Sequence, residues 1–220
     1  MLAQLFERVK NILISPAKEW SKISKENNDL VKLLINYVLP LAAIPAIALL
    51  LGYTLLAIFQ GFPLGSFLLW GLIYGIVMVV LYVVLLVLAA LFTNILAPSF
   101  SGKDDFNKSF ALVAYSATPM FVAGIFYLLI ALSSWGQAGL GNLLTLLGLL
   151  YGMYILYLGI GPMKGVPKDK VLPFFIVVVL IFIVLQVVLS IVLAPALVGA
   201  LGGGGEMAAA AALGSLLKMM

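Results

Sequence analysis

Asp104 and Asp105 come closest to a reactive pair in this sequence, and they stand between Lys103 and Lys108 in a short polar stretch. Two carboxylates serve as acid and base only when they converge on one pocket, and neighbours in a short loop usually diverge into water. They read as solvated charges with little capacity for a divalent cation. Cysteine and histidine are both absent, which removes thiolate nucleophiles, the commonest metal ligand and the usual proton shuttle. The sequence holds no Walker-type phosphate loop and no Ser-x-x-Lys set, and the glycines at 202–205 lack a following basic helix. The expectation is a protein that is not an enzyme, with no catalytic residue, no metal and no cofactor.

The other candidates are uncharged: Asn94, Tyr115, Thr118 and Gln186, with Pro119 as a hinge beside them. Each lies in a long apolar stretch, where a polar side chain most often bonds a neighbouring helix. A set of them facing one space would instead line a conduit for a small uncharged solute or a lipid. Gln186, flanked by Leu185 and Val187, must find a partner.

The elements that position these residues follow from where charge is missing. Of 220 residues, 65% are hydrophobic and 9% charged, against about 25% charged in soluble domains. Three blocks carry no Asp, Glu, Lys or Arg: 33–102, 109–163 and 171–205. At about 20 residues per crossing they hold two, two and one helices. Turn clusters at Gln60-Gly61-Phe62-Pro63 and from Ser133 to Asn142 divide the first two. The predicted fold is an all-α integral membrane bundle of five helices, near 33–59, 67–97, 110–132, 143–161 and 171–197, within a domain of 33–200. Residues 1–32 form an amphipathic arm, and 201–220 a glycine linker with a short outer helix.

In the arm, Leu2, Leu5, Phe6, Val9, Ile12 and Leu13 share one helical face. Ser15 and Pro16 restart a second helix, with serine as its cap. Trp20 is a candidate interfacial anchor, and Lys18, Lys22 and Lys25 are candidate contacts for anionic headgroups. The alternative is that the arm docks on the bundle itself. Partners expected from these features are the bilayer and either another protein or a second copy. The net charge of +4 is too small and scattered for a nucleic-acid face.

Several segments together resemble the Yip family, the Ypt-interacting, Rab-associated membrane proteins, and in particular its prokaryotic-type members. They are Ile14-Ser15-Pro16-Ala17-Lys18-Glu19-Trp20 with Ile23, then Ala114-Tyr115-Ser116-Ala117-Thr118-Pro119. The third is Leu156-Tyr157-Leu158-Gly159-Ile160-Gly161 with Gly165-Val166-Pro167-Lys168. The resemblance implies a cytoplasmic amino terminus, five spans and an outward carboxyl tail. In eukaryotic relatives it implies vesicle trafficking or membrane shaping through Rab GTPases. The amino-terminal segment is shorter than in trafficking members, which carry a larger one for partner binding.

Lysine placement gives an independent orientation. With the amino terminus inside a cell membrane, Arg8, Lys10, Lys18, Lys22, Lys25, Lys32, Lys103, Lys108, Lys164, Lys168 and Lys170 are cytoplasmic, and only Lys218 is outside. In sealed right-side-out vesicles, an impermeant amine reagent is therefore expected to label Lys218 and spare Lys103. Labelling of Lys103 from outside would overturn the orientation.

Overall fold

The computed structural model describes residues 2–135 and 138–201, with side chains at 3–129, 141 and 143–191. Among these residues there is helix and no strand. Five helices are long and apolar enough to cross a membrane: Leu30–Gln60, Leu64–Phe100, Phe106–Leu129, Leu143–Lys164 and Lys168–Ile191, hereafter spans one to five. The glycine linker and outer tail expected after Leu201 lie outside the described residues. The chain forms two compact units. The first, Met1–Val179, contains the arm, four spans and the first turns of span five; the second begins at Leu180, where the helix continues to Leu201.

The arm is two helices, α1 (Leu2–Ile14) and α2 (Pro16–Ile23). Proline at the first helical position fixes the start of α2, because its missing N–H would be unbonded there in any case. The expected serine cap does not form: Ser15, at φ -139° and ψ 58°, lies outside the extended region a capping residue usually adopts and makes no side-chain cap bond.

Span ends differ from the charge-free blocks for a physical reason. Asp29 caps span one by accepting from the Lys32 N–H at 2.8 Å, and Asp105 caps span three by accepting from the Lys108 N–H at 3.0 Å. Charged residues thus belong to the first turns of these helices, and a boundary drawn at the nearest charge falls short.

Prolines shape the spans locally. Pro40 cannot donate to the preceding turn, and the chain answers with one π-helical turn, Leu34–Val38, just before it. Pro119 breaks span three at Ala117, so helix Phe106–Ser116 is followed by a short helix Thr118–Ala123 and then a 3-10 stretch, Gly124–Trp135. Small residues let backbones meet at these places. A Cβ on Gly71 would lie 2.9 Å from the Leu50 Cα, and one on Gly75 would lie 3.1 Å from the Ala46 carbonyl oxygen. A Cβ on Gly124 would come within 2.5 Å of the Pro45 ring.

Pro45 is rigid and cannot turn aside, so Gly124→Ala is expected to cost about 1–3 kcal/mol through overpacking. Gly161→Ala, where nothing lies within 4 Å, is expected to leave stability unchanged or raise it slightly. Thermal melting of both variants in one detergent checks this; equal melting points would contradict it.

Candidate functional site

Span three is the axis of the first unit, with Ser109 to Ser116 all buried. The kink at Pro119 leaves the Tyr115 carbonyl without its usual backbone donor. The Thr118 hydroxyl donates to that carbonyl at 2.6 Å. Its single proton is thereby used, so the contact at 2.7 Å between Tyr37 and Thr118 has the Tyr37 hydroxyl as donor. The Tyr37 and Tyr115 rings meet edge to face at 4.6 Å. Tyr115, Thr118 and Pro119 are therefore brought together, buried against span one. Gln186 belongs to the second unit, where its side chain is exposed.

The arm docks on this axis. Trp20 is completely buried, and its indole N–H donates to the Ile155 carbonyl in span four at 3.0 Å. Gly159, one turn further along, provides the space: a Cβ there would lie 2.6 Å from the indole ring and 2.6 Å from Leu112. Trp20 also lies edge-on to Tyr115, with ring centres 6.1 Å apart. The Tyr151 hydroxyl donates to the Leu13 carbonyl at 2.6 Å and fixes the end of α1. Trp20 is thus an internal anchor, which corrects its assignment as a contact with the membrane surface. Its N–H and large apolar ring are both satisfied inside the protein.

Charge closes the arm on itself. Arg8 reaches Glu19 and Glu26, each at 2.6 Å, and Lys22 reaches the other Glu19 oxygen at 3.1 Å. Glu19 is only 3% exposed, and its two cationic partners keep this carboxylate from being buried unpaired. The Arg8 guanidinium also lies 5.8 Å from the centre of the Tyr115 ring. Burial works against the Arg8 charge, and Glu26, Tyr115 and Glu19 more than offset it, so its pKa stands above the ordinary arginine value. Lys18 and Lys25 are exposed, while Lys22 is tied to Glu19.

A second polar cluster joins the ends of spans two, three and four. The Asn94 carbonyl oxygen accepts from the Asp105 N–H at 3.0 Å and from the Lys164 ammonium at 3.0 Å, with the Ser109 hydroxyl at 3.1 Å. Its amide donates to Asp104 at 2.6 Å. Lys164 is fully buried and places its other donors on Ser109 Oγ at 2.6 Å and the Asp105 carbonyl at 3.0 Å. The paired aspartates are therefore occupied in different tasks, Asp105 as a cap and Asp104 as an acceptor for Asn94. Sequence reasoning missed this role of Lys164, counting it only among the cytoplasmic basic residues. The available signal was its place directly after Met163, continuous with an apolar helix.

The three motif segments converge: Trp20 from the first, Tyr115 and Thr118 from the second and Gly159 from the third. Residues 10–191 match the Yip1 domain. The chain belongs to this family. No curated protein and no solved structure matches it. The matched region of the Yip1 domain runs from inside α1 to the end of span five, so the docked α2 is part of the domain. This Yip1-domain chain is a multi-pass membrane protein, with five helices able to span.

Asn94→Leu removes the hub and takes one of three hydrogen bonds from the buried Lys164 ammonium, a loss of about 1.5–3 kcal/mol. Adding Lys164→Met is expected to restore part of that loss, because the stranded ammonium is gone. A double-mutant cycle of melting temperatures checks this; strictly additive losses would contradict the coupling.

Proposed function

We propose that this protein is a non-catalytic organiser of the membrane, working through the face its docked arm presents on the cytoplasmic side. One observation carries the reading. Phe6, Lys10 and Ile14 are spaced by four and share the outward face of α1, with Phe6 72% and Ile14 70% exposed. Two exposed apolar side chains around a lysine, on a helix beside spanning helices, have the composition of an interfacial element. Lys18 and Lys25 extend the same surface with charge suited to anionic headgroups. The docking of Trp20 supports this reading by giving the face a fixed direction, so insertion would act on the bilayer as a held wedge rather than a loose tether. The family's association with trafficking, and any protein partner, would then use this surface.

The Tyr37 hydroxyl bonds Thr118 and the Thr118 hydroxyl bonds the Tyr115 carbonyl, a closed pairing that gives no support to a conduit past them. The roles found for Asp104 and Asp105 give none to a loop-based hydrolase.

Phe6→Asp with Ile14→Asp tests the proposal without disturbing the buried side of the arm. Membrane distribution and crosslinked co-purifying proteins are expected to change for this variant while its melting temperature does not. Unchanged distribution and an unchanged partner set would refute the proposal.

A further inference from the structure

The polar side of α1, with Gln4, Glu7, Arg8 and Asn11, borders a partly open cavity of about 560 Å3 that reaches down to Tyr37 and Tyr115. That volume lies within the usual range of small-ligand sites, about 300–1,000 Å3. Tyr115 is only 6% exposed, and its hydroxyl has no hydrogen-bond partner among the described residues. Every wholly inaccessible side-chain nitrogen or oxygen among those residues is bonded, so this hydroxyl keeps some access, and the cavity its side chain lines is where that access leads. A phenol this deeply buried ordinarily holds a partner.

The charges of the lining narrow the ligand's class. Arg8 is engaged by Glu19 and Glu26, and Lys22 by Glu19. Glu7 and Lys32 line the same cavity and enter no ion pair among the described residues. Asp29 is a second lining carboxylate outside those ion pairs, accepting the Lys32 backbone N–H through one oxygen, so two carboxylates, one lysine, side-chain amides such as Asn11 and Asn36, and a phenol offer acceptors for an ammonium and a cation for a phosphate. The Tyr115 ring already carries the Arg8 guanidinium, so no aromatic cage is open to a quaternary ammonium. Carboxylate and amide oxygens favour instead a primary ammonium with hydrogens to donate. Val31 and Ile35, beside the lining residues of span one, are 57% and 54% exposed and offer apolar surface next to the mouth.

We propose that this cavity is a headgroup site for a phospholipid carrying a phosphate and a primary ammonium, of the phosphatidylethanolamine class, with its acyl chains along span one. The site goes beyond the outward face of α1 and does not depend on it. The full chain, purified in detergent, can be titrated with phosphatidylethanolamine, phosphatidylcholine and phosphatidylglycerol and its bound lipid counted by native mass spectrometry. One phosphatidylethanolamine is expected to be retained about tenfold more tightly than either other lipid, the equivalent of one charge-assisted hydrogen bond. Tyr115→Phe should weaken retention by a similar factor with an unchanged melting temperature, and Glu7→Gln should narrow the preference over phosphatidylcholine. Phe6→Asp with Ile14→Asp should retain the lipid, which separates this site from the proposed wedge. Equal retention of all three lipids, or retention unaffected by both Tyr115→Phe and Glu7→Gln, would overturn the proposal. Displacement of the lipid by equimolar soluble phosphoethanolamine would overturn the lipid assignment in favour of a soluble ligand.

Discussion

An indole can lie directly against a helix backbone only where that helix carries no side chain, and span four offers that place at Gly159. Trp20 fills it, buries its ring completely and gives its N–H to the Ile155 carbonyl. Burial of a large aromatic surface supplies the attraction, and the hydrogen bond prevents the indole nitrogen from opposing it. The remaining features of the arm follow from this contact. With α2 held, Glu19 is carried inside, where it needs Arg8 and Lys22, and Arg8 in turn holds α1 over Tyr115.

The same economy governs polar groups elsewhere in the first unit. A carbonyl freed by Pro119 takes the Thr118 hydroxyl, and that hydroxyl then accepts from Tyr37. Thr93 and Ser116 bond back to carbonyls four residues earlier. Lys164, fully buried, has three oxygens for its three donors. These pairings matter because an unpaired polar group is costly where water is scarce, so each one fixes a helix end or a kink. The open Tyr115 hydroxyl stands out against this pattern, which is why it points to a ligand.

The five spans were legible because hydropathy is a property of whole segments, and a block such as 33–102, with one turn cluster inside it, divides into two helices. Helix ends were less legible, since Asp29, Asp105 and Lys108 belong to first turns that a charge-based boundary excludes. The docking of the arm was present in the sequence as two alternatives. Its decisive stripe, Pro16, Glu19, Trp20 and Ile23, includes a carboxylate that a hydropathy reading counts as solvent-facing. Its partners, Arg8 eleven positions earlier and Lys22 one turn later, pair the carboxylate so that the stripe can be buried. Gly159 likewise carries no side chain to signal its role. What identifies it is the tryptophan from another part of the chain, a long-range relation invisible to local pattern. Asn94 was visible as a polar residue near a helix end, but its bonds reach Asp104, Asp105 and Lys164, which converge on it only in three dimensions.

The central claim is that the arm is a fixed part of the domain, held by Trp20 in the space at Gly159. The absence of native cysteine makes a direct distance measurement straightforward. Spin labels can be placed at Lys18, which is exposed on α2, and at Gly161, which has open space in span four. For the protein in lipid, double electron–electron resonance should give one narrow distance distribution, broadened when Gly159→Leu closes the space for the indole. A broad distribution in the otherwise native protein, unchanged by Gly159→Leu, would contradict the account.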